Sequence, residues 1–416
     1  MSRIVNQSLQ TITKGAAIIF LGLCARMLLA LVGRIILVRY ITKGEYGLYS
    51  LGLVALEVII TLSCLGLEAG TTRQIAFYRG KNDLQKARGI IFSSLQVGIA
   101  TSVLLTVIFF FISDFIAITF FHTPELSSIL KIFCIATPFL VLIQVFTSSF
   151  RGFDRAQPRV YFQDLLRNAL FPLLLIVVVL LHLPFVWVVY TFVATVIITF
   201  VAYATYTTKN LQFSFKAAYS VADMSITKEL LLFSLPLLLV GMFQDILTWT
   251  DTLMLGYFKV PDDVGLYNVA VPLAHLLPIF LTAVNFLHIP IISQFYAKGQ
   301  LEEIKRSYAV VTKWVTSATL PVFLTFVLFP EIVLKFFFGS GYVSAAFSLQ
   351  ILSVGFFISA ALGPNGTTLT AIGQTRFLMW ATITAAIANI ILNAAMIPPL
   401  GINGAAIATA LSLIIR

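Results

Sequence analysis

Apolar residues in this chain gather into long unbroken blocks separated by short polar segments, without the strict alternation a half-buried strand would show. A helix needs roughly 20 apolar residues to cross a bilayer. Such stretches lie near residues 15–38, 48–68, 90–112, 129–149, 163–182, 185–206, 230–257, 266–290, 310–329, 344–362 and 377–397. A twelfth apolar run opens near residue 402 and stops at Arg416, a helix barely started, so the natural protein is expected to continue with further spans. The pattern predicts an all-α polytopic membrane protein with about 12 transmembrane helices. Met1–Gln10 lacks the charged, then apolar, then small-residue order of a cleaved signal, so the first span is expected to stay.

The blocks also repeat. Gly47-Leu48-Tyr49 returns as Gly265-Leu266-Tyr267, Phe77-Tyr78 as Phe295-Tyr296, and Arg88 as Arg306, each 218 positions later; Gln157 and Arg159 are answered by Gln374 and Arg376. These matches hold one register for over a hundred residues and sit mostly at loop edges, where chance apolar words do not explain them. Six spans per unit give both units the same orientation, so the repeats are parallel. The predicted lobes are residues 1–222, with the linker, and 223–416, apparently truncated in its last helix. The stretch Thr207–Lys228, with Ser214, Ser220 and Ser225, reads as that linker. Paired repeats of this kind are typical of secondary transporters, with the substrate site between the lobes.

Composition and charge sharpen this reading. With 59% hydrophobic and 11% charged residues, a water-soluble surface cannot be built. Taking the spans as drawn, one side of the membrane receives 19 Lys and Arg and the other only Arg39, Lys43, Lys131, Lys259 and Lys335. By the positive-inside rule this puts the amino terminus in the cytoplasm and the chain in the cytoplasmic membrane. The net charge of +10 is thereby a topology signal, with some attraction to anionic lipids. A nucleic-acid partner would need that charge on a soluble domain, and there is none.

Several chemistries drop out. Cys24, Cys64 and Cys134 lie alone in apolar spans and read as packing residues. His122, His182, His275 and His288 have no metal-binding spacing, and no phosphate-binding glycine loop is present, so neither a metal site nor a cofactor is expected. Gly363-Pro364-Asn365-Gly366 reads as a helix break.

What remains is charge at bilayer depth, which costs at least ~2.5 kcal/mol unless it faces protein or water. Arg26 and Arg34 in span one lie within about 80° of each other and ~12 Å apart along the axis, so one wet wall can hold both; alternatively Arg34 snorkels to the headgroups. In span two, Ser50, Glu57, Thr61, Cys64 and Glu68 share one helical face. That stripe is either a cavity lining or a seam pairing Glu57 with Arg26 or Arg34, and Glu68 is placed to meet Arg73. Span seven carries Gln244, Asp245, Thr248, Asp251 and Thr252, with Asp245 at the edge of the face. Through the repeat, Ser50 maps to Asn268 and Glu57 to His275, giving span eight its own stripe of Asn268, His275 and Thr282. A histidine there suits proton coupling, and equally suits a simple buried hydrogen bond. The candidate cavity residues are therefore Arg26, Arg34, Glu57, Glu68, Gln244, Thr248 and Asn268, and the candidate ion-coupling residues Asp245, Asp251 and His275.

Gly33-Arg34-Ile35-Ile36-Leu37-Val38-Arg39, then Glu45-Tyr46-Gly47-Leu48-Tyr49, then Phe150-Arg151-Gly152-Phe153-Asp154-Arg155-Ala156-Gln157-Pro158 follow one another in order. With Trp249-Thr250-Asp251-Thr252, Met254-Leu255-Gly256 and the late Gly401-Ile402-Asn403-Gly404-Ala405-Ala406-Ile407-Ala408-Thr409, they resemble the polysaccharide-transporter (Wzx-like flippase) branch of the multidrug/oligosaccharidyl-lipid/polysaccharide exporter superfamily. The resemblance spans essentially the whole chain. It implies 12 to 14 spans, two six-helix lobes around a V-shaped cavity, and a flippase that moves polyprenyl- or dolichyl-(pyro)phosphate-linked sugars between leaflets beside glycan-assembly enzymes. On that footing Arg26 and Arg34 hold phosphate, the polar stripes solvate sugar, and H+ or Na+ resets the cycle. The rival is a cation-coupled multidrug or metabolite antiporter of the same superfamily, which Arg26 disfavours. A membrane glycan polymerase would need a large outer loop, and the longest here is near Ser113–Ser128.

Overall fold

The computed structural model describes residues 3–155, 157–210 and 224–415, and the side chains of 22–155, 157–210, 226–239, 241–243, 245–285, 288, 289 and 291–415. No strand occurs among the described residues, and every span expected from the sequence lies on a helix or a broken helix. Nine helices are long and apolar enough to cross a membrane, or ten if one bent pair counts as a single span, among the described residues. Hydrocarbon dictates this economy: only a helix satisfies its own backbone donors and acceptors inside one segment.

The chain divides into two compact units, and two of the three divisions, at 51/52 and 242/243, fall inside helices. Unit 1 takes residues 1–40 and 52–242. It contains α1 (Arg3–Tyr40), most of α2 (Lys43–Cys64), α3 (Leu67–Gly80), α4 (Leu84–Phe115) and α5 (Glu125–Gly152). A helix opening at Gln157 then widens to π geometry over Val160–Leu166 and continues as α6 (Arg167–Leu180), followed by α7 (Val186–Asn210). The π-helical extension Ile116–Phe120 prolongs α4, so much of the expected long outer loop is helical. The α2–α3 break sits at Leu65 and Gly66, both left-handed, and a Cβ at Gly66 would strike the Ser234 carbonyl. Helix α5 is the axis of this unit: Phe133, Ala136, Val141, Ile143 and Phe150 are sealed, and its backbone lets Gly152 close on Ile75. Small residues make such approaches where no hydrophobic force distinguishes helix from lipid.

Unit 2 takes residues 41–51 and 243–416. Helix α8 (Met224–Phe258) crosses the division at residue 242, well past the expected 222/223 boundary, and the expected linker core, 211–223, is outside the described residues. Next come α9 (Pro261–Ala274), α10 (Ile279–Ala297), α11 (Leu301–Leu328), α12 (Pro330–Phe338), α13 (Ala346–Ala361), α14 (Asn365–Ala371), α15 (Thr375–Leu400) and α16 (Ile402–Ile415). Gly363, with φ of 79°, breaks α13 from α14, as the Gly-Pro-Asn-Gly word predicts.

The repeat is visible in the helix schedule. Helix α1 ends at Tyr40 and α8 at Phe258, and α2 starts at Lys43 and α9 at Pro261, both 218 positions apart. The span-eight stripe is a correction: Asn268, His275 and Thr282 do not share a straight helix, because the span bends by 49° between Ala274 and Ile279. Pro272 and Pro278 remove donors there, so the turns between the two pieces leave the regular ladder.

The repeated Gly-Leu-Tyr words mark a helix crossing inside unit 2. Thr42 and Glu45 form a capping box at the start of α2, with Thr42 N donating to Glu45 Oε2 at 2.8 Å. Pro261, Asp262 and Asp263 open α9, where a proline loses nothing and carboxylates suit the helix dipole. The two first turns meet at Gly47 and Gly265. A Cβ on Gly47 would fall on the Pro261 carbonyl oxygen and one on Gly265 on the Lys43 carbonyl oxygen, each with the other glycine's nitrogen at 3.1 to 3.2 Å. Tyr46 adds a bond from its hydroxyl to the Asn268 carbonyl at 3.1 Å. Residues 41–51 belong to unit 2 through this crossing.

Because both obstacles are backbone atoms, no rotamer relieves them. Gly47→Ala and Gly265→Ala should each destabilise the protein by about 3 kcal/mol or more, whereas Gly241→Ala, which meets nothing within 4 Å, should be neutral. Thermal unfolding of detergent-purified protein checks this; equal melting temperatures for all three would refute the crossing.

Candidate functional site

Two buried polar groupings stand out, one in each unit. In unit 2, Asp251 on α8 is 5% exposed and completely enclosed by neutral donors. Its Oδ2 accepts from the Tyr267 hydroxyl of α9 at 2.6 Å and from the Thr409 hydroxyl of α16. Its Oδ1 accepts from Asn393 Nδ2 at 2.7 Å and Asn389 Nδ2 at 3.3 Å, both from α15. Asn389 and Asn393 are one turn apart and so share a face, and Asn393 Nδ2 also reaches Asn389 Oδ1 at 3.1 Å. Asn393 Oδ1 is buried with no hydrogen-bond partner.

This arrangement is chemically pointed. An anion sealed in protein normally needs a cation, since several kcal/mol of hydration are lost, yet the four groups bonded to Asp251 are all uncharged. Asn389 and Asn393 turn their amide nitrogens to the carboxylate and Tyr267 and Thr409 their hydroxyls, so four neutral donors solvate the acid without cancelling its charge. No cluster of three His, Cys, Asp or Glu suited to a transition metal occurs among the described residues. At the matching repeat position, 218 earlier, the first unit has Gly33, where an added Cβ would lie 3.4 to 3.6 Å from Phe171 and Pro172. The acid belongs to the second unit alone.

The other span-seven and span-eight candidates scatter. Thr252 is buried and donates to Asn268 Oδ1 at 3.2 Å, while Asn268 Nδ2 donates to the Val264 carbonyl at 3.0 Å, so this amide braces α9 and is not open to solvate a sugar. Thr248 is exposed, Asp245 half-buried, and the Gln244 side chain lies outside those described. His275 sits exposed at the end of α9 with its ring 4.7 Å from that of Phe356.

In unit 1, Arg26 on α1 places its Nε 3.7 Å from Oδ1 of Asp164, which projects from the π-helical turn. Arg34 is half-buried one further stretch along α1, and Glu57 is exposed. Glu68 meets Arg151 at 3.1 Å, not Arg73 as its sequence neighbourhood predicts; the left-handed turn at Gly66 swings α3 so that Glu68 faces α5, and Arg73 instead covers the Phe233 ring at 4.2 Å. Cys64 and Cys134 are buried, and the Cys64 thiol donates to Gln144 Oε1 at 2.7 Å.

Sequence reading alone does not find Asp164, Asn389, Asn393, Tyr267 or Thr409. Asn389 and Asn393 carry a usable signal, two amides at i, i+4 in an apolar span. Asp164 carries a weaker one, a carboxylate at a span edge flanked by Arg159 and Arg167, easily read as loop charge.

Comparison with known proteins fits this geometry. The polysaccharide biosynthesis protein family matches residues 12–296, and the MatE family residues 236–395. A probable low-salt glycan biosynthesis flippase, Agl15, from Haloferax volcanii is 29% identical over 172 residues, which is 41% of this chain and 36% of that relative's length. Among solved structures, an inward-facing multidrug resistance MATE family transporter of the MOP superfamily has a TM-score of 0.77 at 18% identity, covering 93% of this chain and 91% of its own. The lipid II flippase MurJ in an inward closed conformation has a TM-score of 0.76 at 14% identity, covering 96% of this chain and 85% of its own. At such identities the structures speak for the fold alone. The family match over residues 12–296, more than half of the chain, decides the rest: this multi-pass membrane protein belongs to the polysaccharide biosynthesis protein family, in the polysaccharide-transporter branch of the multidrug/oligosaccharidyl-lipid/polysaccharide exporter superfamily.

Proposed function

We propose that this protein is a flippase for a lipid-linked glycan, moving a polyprenyl- or dolichyl-(pyro)phosphate sugar across the cytoplasmic membrane by alternating access, with its amino terminus in the cytoplasm. The observation that carries the reading is Arg26: a guanidinium at mid-helix, its side chain 41% exposed, in a chain of a polysaccharide biosynthesis family. A charge there is costly unless it has an anion to receive, and guanidinium binds phosphate oxygens in a bidentate fork. The tail of such a substrate stays in lipid, so only the phosphate and sugar need protein. Arg34 is the second phosphate contact in this reading, and glycan-assembly enzymes would supply the substrate.

Coupling falls to the Asp251 cluster. Four neutral donors hold the carboxylate without neutralising it, which leaves Na+ or H+ to supply the opposite charge, so binding of the ion and closure of α8, α9, α15 and α16 around it become one event. Of the coupling candidates, Asp251 has this enclosure; Asp245 and His275 lie outside it. The likeness to a MATE transporter favours a second reading, an antiporter of organic cations, for which the acid would be the substrate site.

In proteoliposomes, the wild type should translocate a fluorescent polyprenyl-pyrophosphate sugar, and Arg26→Ala should slow this at least tenfold with an unchanged amount of protein in the membrane. Saturable uptake of organic cations by the wild type, with no movement of the sugar lipid, would replace the flippase by the antiporter.

An imposed Na+ or H+ gradient should accelerate the wild type, and Asp251→Asn should lose that acceleration. Asp251→Leu should in addition destabilise the protein by about 2–5 kcal/mol, since four buried donors lose their acceptor. A full gradient response in Asp251→Asn would move the coupling elsewhere.

A further inference from the structure

The pair formed by Arg26 and Asp164 has properties that bracing does not require. The Asp164 side chain is 8% exposed while that of Arg26 is 41% exposed, so one partner is fixed inside unit 1 and the other reaches out. Their closest approach, Nε to Oδ1 at 3.7 Å, is an ion-pair distance longer than a hydrogen bond. Charge holds Arg26 here, without the short paired geometry that would lock it.

Asp164 itself is held firmly. Its neighbours on the π-helical turn are clamped from both sides: Gln163 Nε2 donates to Thr147 Oγ1 at 2.7 Å, and Phe162 stacks on Tyr203 at 4.6 Å. Thr147 in turn meets the Tyr203 hydroxyl at 3.2 Å. A π turn leaves carbonyls out of the regular ladder, and Asn168 Nδ2 satisfies two of them, those of Gln163 and Asp164, at 2.8 and 3.1 Å. π-helical turns are rare and recur at functional sites. Helix α15 of unit 2, which opens at the matching place in the repeat, is α-helical throughout Thr375–Leu400, and Gln244 stands 218 positions after Arg26. Among the described residues, the turn, its acid and its arginine are thus peculiar to the first unit.

Asp164 also has cover for the loss of its partner. Arg159 and Arg167 act on it electrostatically together with Arg26. A buried carboxylate stripped of its only cation costs several kcal/mol; Arg159 and Arg167 offset part of that cost when Arg26 moves away.

We propose that Asp164 is the resting counter-ion of Arg26, a stand-in for the phosphate of the substrate, exchanged for it when an anionic lipid head arrives. The assignment rests on the reading that Arg26 binds phosphate. Asp164 is then a positioning residue that sets specificity: a phosphate, with more charge and a bidentate face, displaces the 3.7 Å contact, whereas an uncharged lipid head cannot. The pair would keep the arginine neutralised between cycles and admit only phosphorylated carriers.

The test measures binding of a fluorescent polyprenyl phosphate, and of the matching uncharged polyprenol, to the full chain in nanodiscs. Wild type should bind the phosphate and not the polyprenol. Asp164→Asn removes the competitor and should bind the phosphate about fivefold tighter or more, an effect that vanishes in the Arg26→Ala background. A merely structural role would weaken binding instead. Failure of wild type to bind the phosphate would overturn the flippase reading and this assignment with it. Binding by wild type with no tightening in Asp164→Asn, at unchanged melting temperature, would overturn the assignment alone. Should Asp164→Asn not fold, Asp164→Ser serves in the same comparison, and loss of the folded protein in both makes Asp164 a structural brace and rejects the proposal.

Discussion

Hydrocarbon gives a polar group nothing to bond to, and the rest of this molecule is arranged around that constraint. The backbone answers by being helical wherever it crosses. Hydroxyls answer locally: Ser63, Ser94, Thr147, Thr195, Thr199 and Ser412 each return a hydrogen bond to the carbonyl four residues earlier. Charges have no local remedy. Asp251 and Arg26 must each find their counterpart on another helix, so the positions of α1, α8, α9, α15 and α16 within their units are tied to one acid and one base.

Those two solutions differ in kind. Asp251 is surrounded by donors at hydrogen-bond distance and has no cation among its partners. Arg26 has a true counter-ion but at a loose distance and with its outer face uncovered. The first encloses a carboxylate among neutral donors; the second leaves a guanidinium partly exposed beside its carboxylate.

The architecture was legible from the sequence because its signals are long and redundant. Twelve apolar blocks and a 218-residue register survive errors of several residues at any boundary, and the helix starts at Lys43 and Pro261 reproduce that register. The sites were legible only where one residue sufficed: Arg26 and Asp251 are conspicuous as charges in apolar spans. Their partners were not, because Asp164, Asn389 and Thr409 lie 138 or more positions away and acquire meaning only through packing. Helical-face arithmetic misled wherever the helix was not straight, as at Pro272 and Pro278, and it could not foresee the swing at Gly66 that gives Glu68 to Arg151.

Duplication explains why the two units could diverge so far while keeping one schedule. The Gly47–Gly265 crossing uses the same word from both repeats, so its geometry constrains both copies alike: any side chain at either position meets backbone. Nothing of the kind constrains position 33 or its counterpart 251. At the former a glycine accepts the side of Phe171, and at the latter a carboxylate fills the space and recruits two amides, a phenol and a hydroxyl. The π-helical turn works in the other direction, giving the first unit an extra irregularity on which Asp164 faces Arg26. A chain built from identical halves would present the same polar groups in both units, with no chemical difference between them. Divergence at a few sites inside a shared helical frame supplies that difference while leaving the frame, and the packing that stabilises it, intact.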